Sequence, residues 1–226
     1  MKAMILAAGR GKRMSPLTDH CPKPLLPVAG KPLIVHHIER LRDAGITELV
    51  INAAYLADML IEQLGNGHHY GVTITWSREE QALETAGGIR QALPLLGEEP
   101  FLLVNGDVWT DFPFSELINS SLGDDLARLV MVPNPAHNPG GDFHLTDTHR
   151  LRLDGEPQRV YSGVALMAPA LVAHLPMGEA AKLLPPLQAA IQRDQVGGID
   201  YRGAWVDVGT PERLAALDQR LAHTAS

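Results

Sequence analysis

Apolar and polar positions along this chain fall into two rhythms. In the first half, short apolar runs at Lys2 to Ala7, Glu48 to Ala53 (ELVINA), Val72 to Trp76 (VTITW) and Phe101 to Asn105 (FLLVN) have the length and β-branched content of strands. Between them lie PLIVHHIERLRDAG, LADMLIEQLG and ETAGGIRQALPLLG. Each has apolar residues at helical spacing and ends on glycine, so each predicts a helix. Strands that alternate with helices require right-handed crossovers, which gives an α/β protein whose mainly parallel sheet is covered on both faces.

After Asp107 the rhythm changes. DLARLVMVP, DFHLT, RLRL and RVYSGVALMA are four strand-like pieces with little helix between them, and they predict antiparallel strands that make the sheet mixed. PNPAHNPGG, residues 133–141, is a loop by composition and a candidate lid or rim. A helix over about Ala180 to Asp194, a strand before Val206 and a helix from Pro211 to about His223 complete the pattern. Pro185 and Pro186 are expected to break or kink the first of these helices.

Composition narrows the class. The chain has 226 residues, 45% hydrophobic and 20% charged, which suits one folded domain over 1–226 with a large core. Its net charge of −7 repels a nucleic-acid backbone, and no Lys/Arg stripe offsets it, so any anion must be held locally. The single cysteine, Cys21, has no partner for an intramolecular disulfide, in keeping with a reducing compartment. MKAMILAAG is a marginal signal-peptide core that runs straight into a basic loop, and no other run approaches a membrane span. A cytoplasmic protein without membrane partners is the expectation.

The stretch LAAGRGKRMSPLTDHCPKPLLPVAGKPL, residues 6–33, puts Gly9 and Gly11 and the cations Arg10, Lys12, Arg13 and Lys23 after the first strand. In open α/β sheets ligands bind beyond the carboxyl ends of the strands. Gly9 and Gly11 let backbone N–H groups approach phosphate oxygens, and Arg13 and Lys23 add charge to the same anion. A dinucleotide loop would need glycine where Met14 stands, and a Walker A loop needs four residues between its glycines and then GK[ST]. On their own, the glycines also fit an ordinary strand-to-helix turn, and Lys23 fits a solvated lysine. Two aspartates follow at predicted strand ends: Asp107 in FLLVNGD and Asp207 in WVDVGTPERL. Each also fits a turn, but together they offer hard oxygen ligands of the kind Mg²⁺ takes, with water and phosphate completing its shell. His36-His37 and His68-His69 lack zinc-site spacing.

These motifs resemble the sugar-1-phosphate nucleotidyltransferases, whose pattern L-A-G-G/A-x-G-x-R-L/M-x-P-L-T followed by P-K-P-L fits residues 6–25 with Ala8 at its third position. The resemblance implies a Rossmann-like three-layer α/β/α nucleotidyltransferase fold with no C-terminal β-helix, residues 1–110 mainly binding nucleotide and 111–226 mainly binding sugar. By matching position, Leu6, Ala8, Gly9, Gly11, Lys12, Arg13 and Lys23 take the nucleotide phosphates. Arg13, Lys23 and Asp107 carry catalysis, and Asp107 and Asp207 hold Mg²⁺. EQALETAGGI resembles the family's base- and sugar-binding segment, giving Glu80, Thr85, Ala86 and Gly87 to the nucleotide; Glu84 and Ala82 replace its usual glycine and proline.

The Glu84 departure, GDFHL, Glu156, YSG and YRGAWVDVGT resemble the short uridylyltransferases acting on N-acetylmuramic acid 1-phosphate, and extend the likeness along the chain. That resemblance puts Asn105, Asp142, Glu156, Ser162 and Gly163 against the sugar, and makes Arg202 the candidate partner of the lactyl carboxylate. It implies formation of a UDP-sugar and pyrophosphate from UTP and the sugar 1-phosphate, in peptidoglycan sugar recycling, by a monomer or weak homo-oligomer. The competing readings are glucose 1-phosphate with UTP or dTTP, mannose 1-phosphate with GTP, or a silent nucleotide-sugar sensor. The sensor would be expected to lack Arg13, Lys23, Asp107 or Asp207, and all four are present.

Overall fold

A computed structural model describes residues 1–224. In chain order the first half contains β1 (Ala3–Leu6), the short pair β2 (Pro27–Val28) and β3 (Lys31–Pro32), α1 (Leu33–Asp43), β4 (Glu48–Ala53), α2 (Ala57–Leu64), β5 (Thr73–Arg78), α3 (Glu84–Leu96) and β6 (Phe101–Asn105). The second half contains β7 (Val108–Thr110), α4 (Ser115–Ile118), β8 (Ala127–Val132), β9 (Phe143–Leu145), β10 (Leu151–Arg152), β11 (Gln158–Met167), α5 (Leu184–Gln192), β12 (Val196–Asp200), β13 (Trp205–Asp207) and α6 (Pro211–Thr224).

Nine strands form one sheet in the order β10-β9-β11-β6-β1-β4-β5, with β8 beside β11 and β12 beside β8. β1, β4, β5 and β6 pair in parallel, as the βα alternation predicts, while the short β2 and β3 form a separate antiparallel pair. β11 runs antiparallel to β6, β8 and β9, so the mixed character enters after Asp107. β12 returns parallel to β8. Among the described residues there is no β-helix, and no helix is long and apolar enough to cross a membrane.

Strand alternation divides the core into two layers. Ile5, Leu49, Ile51, Leu102 and Val104 pack on one face with Ile34, Ile38 and Leu41 of α1 and Leu60 of α2. Met4, Val50, Leu103 and Ala165 pack on the other with Ala86 and Ile89 of α3 and Leu187 and Ile191 of α5. Because both faces are covered, β1 and β6 read as continuous apolar runs. A third cluster lies under the glycine loop, where fully buried Met14 meets Leu26, Val28 and Leu33, and Val208, Leu214 and Leu217 from the C-terminal end. Burying a methionine side chain stabilises by about 1.5–3 kcal/mol. The residue that breaks the dinucleotide pattern thus anchors the loop.

Two expectations change. The helix expected over about Ala180 to Asp194 is shorter, Leu184–Gln192, with Pro185 and Pro186 in its first turn. N–H groups there have no intrahelical acceptor, so the prolines begin the helix without a kink. The strand before Val206 lies outside the main sheet: β13 pairs antiparallel with β7, bringing Asp207 opposite Val108.

Candidate active site

β1, β4 and β6 run in parallel, so their carboxyl ends open on the same edge of the sheet, and a cleft of about 470 Å³ lies there. Ten of the expected residues line it: Leu6, Ala8, Gly9, Gly11, Lys12, Arg13, Lys23, Thr85, Asn105 and Asp107. The loop after β1 is shaped by Gly11, whose φ of +65° is readily available only to glycine. A Cβ there would also lie 3.2 Å from the Cβ of Lys23 and from Cγ2 of Thr18. Thr18 Oγ1 donates to the Gly11 carbonyl at 2.9 Å and Met14 N–H donates to it at 2.8 Å, closing the turn. At Gly9 a Cβ would meet nothing within 4 Å, so this backbone faces open space. Arg10 takes no part in the lining; its guanidinium lies 5.3 Å from the centroid of the Tyr55 ring.

Lys23 is buried in a short 3-10 turn between Pro22 and Pro24, and its Nζ donates to Asp107 Oδ2 at 2.8 Å. The next strand end is held by the backbone, with Val208 N–H donating to the Asp107 carbonyl at 2.9 Å. This bond and the β7–β13 pairing bring Asp207, which is not itself in the cleft lining, opposite Val108 next to Asp107. Among the described residues no cluster of three or more His, Cys, Asp or Glu gathers anywhere. Two carboxylates such as Asp107 and Asp207 would be the kind of donors Mg²⁺ takes, an ion that keeps several waters and binds substrate phosphates. Asp207 Oδ2 also accepts from Arg213 Nη1 at 2.9 Å, with His137 Nε2 at 3.2 Å.

Behind Asp107 lies His37 of α1, 1% exposed, whose Nε2–H donates to the Val108 carbonyl at 2.7 Å. Its Nδ1 is buried without a partner, and burial lowers its pKa to about 4. The neutral ring therefore supports the start of β7, the strand that follows Asp107.

Sequence reading missed a polar relay that closes the far side of the cleft. Ala7 N–H donates to Asn52 Oδ1 at 2.7 Å, Asn52 Nδ2 donates to Glu79 Oε1 at 2.7 Å, and Leu83 N–H donates to Glu79 Oε2 at 3.0 Å. Asn52 and Glu79 are both buried and both line the cleft. The signal for Asn52 was a polar residue ending an apolar strand. The expected Glu80 is exposed and outside the lining, one residue beyond Glu79. Ala86 and Gly87 also lie outside it, and both N–H groups donate to the Ala181 carbonyl, at 2.8 and 3.1 Å. Gly87 is small because a Cβ there would fall 2.3 Å from the Glu179 carbonyl oxygen. Glu84 lines the cleft with φ +59°.

The expected sugar residues divide. Asn105 lines the cleft, and its buried Oδ1 has no hydrogen-bond partner. Gly163, with φ +81°, packs against it: a Cβ there would fall 2.7 Å from Asn105 Nδ2. This glycine sits where the β11–β8 register shifts. Ser162 is buried, its Oγ accepting from Val164 N–H at 3.2 Å and its carbonyl from Trp205 Nε1 at 2.8 Å. Asp142 clasps the 133–141 loop to β11, accepting from Tyr161 N–H at 2.8 Å and Asn138 Nδ2 at 3.1 Å. Glu156 is exposed and accepts from Gln158 N–H at 3.2 Å. Arg202, exposed, donates to Asp200 Oδ2 through Nε at 3.0 Å and Nη2 at 2.7 Å.

Comparison with known proteins agrees with this geometry. The family profile described as Nucleotidyl transferase matches residues 2–141. The chain is 51% identical over 220 residues to the N-acetylmuramate alpha-1-phosphate uridylyltransferase of Neisseria meningitidis serogroup B, covering 95% of each. It is 30% identical over 223 residues to the mannose-1-phosphate guanyltransferase beta-A of Xenopus laevis, where it spans 62% of the relative's length. Its fold superimposes on a Bacillus anthracis protein solved in complex with sucrose with a TM-score of 0.86 at 20% identity, covering 98% of this chain and 95% of the other.

Proposed function

We propose, from the premise that this chain belongs to the nucleotidyl transferase family, that it joins UTP to N-acetylmuramic acid 1-phosphate, releasing pyrophosphate and forming UDP-N-acetylmuramic acid. The observation that carries the substrate pair is the 51% identity, sustained over 95% of both chains, to a protein of that named activity. The cleft supports the chemistry independently. It combines a glycine turn, the cations Lys12, Arg13 and Lys23, and a strand-end carboxylate, without a nucleophilic side chain paired to a base.

Such a site suits transfer between two phosphates. The sugar phosphate is already an anionic nucleophile near neutral pH, so no general base is needed. One of its oxygens attacks the α-phosphorus of UTP in line; the new P–O bond forms as the bond to the β-phosphate oxygen breaks, and pyrophosphate leaves. Arg13 and Lys23 offset the repulsion between the two anions and hold them in register. Asp107 and Asp207 would hold Mg²⁺, which when bound neutralises charge developing on the phosphates. Asn105 Oδ1, buried and unpartnered, accepts a sugar hydroxyl or amide N–H, since buried polar atoms are rarely left unpaired. Arg202 reaches the lactyl carboxylate once it is released from Asp200. With UTP as substrate the protein would act in the cytoplasm, in the reuse of cell-wall sugars.

The deciding experiment measures pyrophosphate release with Mg²⁺ across four nucleoside triphosphates and a panel of sugar 1-phosphates. Turnover confined to UTP with N-acetylmuramic acid 1-phosphate is expected. Preference for glucose or mannose 1-phosphate would keep the chemistry and overturn the substrate, and no turnover with any pair would overturn both.

A further inference from the structure

Three elements converge on Asp207. It ends β13; Arg213, in the first turn of α6, donates to its Oδ2 at 2.9 Å; and His137, from the 133–141 loop, places Nε2 3.2 Å from the same oxygen and 2.8 Å from Arg213 Nη1. The side chains of Arg213 and Asp207 are only 23% and 21% exposed. Gly209 makes the space, since a Cβ there would fall 2.2 Å from Arg213 Nη2 and 3.1 Å from Asp207 Oδ1. Gly209 also lines the cleft, so the guanidinium lies against the wall of the substrate site. Neither Arg213 nor His137 stood out in the sequence.

We propose that Arg213 is the built-in counter-ion of Asp207: it competes with a divalent cation for that carboxylate until nucleotide binds, and passes over Gly209 onto phosphate when cation and nucleotide enter together. The inference rests on the nucleotidyl transfer reading. A guanidinium on one carboxylate oxygen lowers the affinity of the carboxylate for a second cation, whichever oxygen that cation takes, because the two positive charges repel at short range. The phosphates of the nucleotide remove this conflict by giving both cations an anion. Lys23 on Asp107 has the same arrangement, so each of the two carboxylates carries a resident cation. The site is thereby kept from holding a metal ion firmly without its nucleotide, and cation and nucleotide binding become positively coupled.

The test is Mn²⁺ binding to the full chain without nucleotide, read from the electron paramagnetic resonance signal of the free ion, for wild type, Arg213→Ala, Arg213→Gln and Asp207→Asn. Arg213→Gln keeps a hydrogen-bond donor for Asp207 and removes the charge, so it carries the test if the alanine variant folds poorly. Both Arg213 variants are expected to bind Mn²⁺ about fivefold tighter, the effect of removing one partly exposed ion pair. Their KM for UTP at saturating Mg²⁺ should rise about tenfold, as expected for a lost hydrogen bond to a charged group. If Asp207→Asn weakens Mn²⁺ binding but neither Arg213 variant tightens it, the counter-ion role is overturned and the metal reading stands. If Asp207→Asn binds Mn²⁺ as wild type does, the metal reading falls and the inference with it.

Discussion

Lys23 and Asp107, 84 residues apart in the chain, meet at 2.8 Å across the mouth of the cleft. The lysine side chain is 8% exposed and the aspartate 43%, so the ammonium is held by the fold while the carboxylate keeps contact with water. This asymmetry separates their roles. The buried cation is fixed in position for an anion, and the hydrated carboxylate is free to exchange partners.

Lys23→Ala should cost some stability, because it empties a buried side-chain site, and should lower turnover by about 10²–10³, by analogy with the loss of one positioned donor at a reacting oxyanion. A thermal melt alongside steady-state pyrophosphate release checks both halves. Turnover near wild type would remove Lys23 from the mechanism.

Gly163→Ala should disable the sugar end of the site through Asn105. The added Cβ would lie 2.7 Å from Asn105 Nδ2 on a residue with φ +81°, a conformation that strains any side chain by about 1–3 kcal/mol. The expected result is a KM for the sugar 1-phosphate raised at least as far as by Asn105→Ala, with the KM for UTP changed much less. Equal effects on both substrates would mean that Asn105 does not face the sugar.

His37 gives a pH dependence of stability. Its folded-state pKa of about 4 lies below the ordinary 6.5, because burial disfavours the imidazolium. Below pH 6.5 the unfolded chain takes up a proton that the folded chain does not, so this stability is whole above 6.5 and is lost as pH falls toward 4. The loss amounts to about 3 kcal/mol, since each tenfold drop in proton affinity on folding is worth roughly 1.4 kcal/mol. His37→Gln should flatten that part of the profile in urea melts between pH 6.5 and 4. An unchanged slope in the variant would place the titration elsewhere.

Arg202→Ala should reduce the preference for N-acetylmuramic acid 1-phosphate over N-acetylglucosamine 1-phosphate, which lacks the carboxylate. Asp200 holds the guanidinium through two hydrogen bonds, so Asp200→Ala should act in the opposite direction by freeing it. Ratios of kcat/KM for the two sugars decide this, and a ratio unchanged in both variants would end the candidacy of Arg202.

What the sequence determined by itself was whatever short-range pattern dictates. The parallel first half and the antiparallel strands after Asp107 were legible because strand period and glycine stops act over a few residues, and the ten cleft residues were legible through the glycine loop, the P-K-P frame and the resemblance to the nucleotidyltransferases. Asn52 and Glu79 were not legible, because their importance comes from a relay between two strands and a loop, and Glu80 in the next position looks equivalent in a string of letters. Ala86 and Gly87 matched a motif, yet their N–H groups went to Ala181, since an approaching backbone can take a donor that local sequence leaves open. Arg213 and His137 needed the tertiary structure most. Arg213 lies six residues from Asp207, but only the fold of the 133–141 loop carries the remote His137 to the same carboxylate oxygen, and no local propensity encodes that meeting.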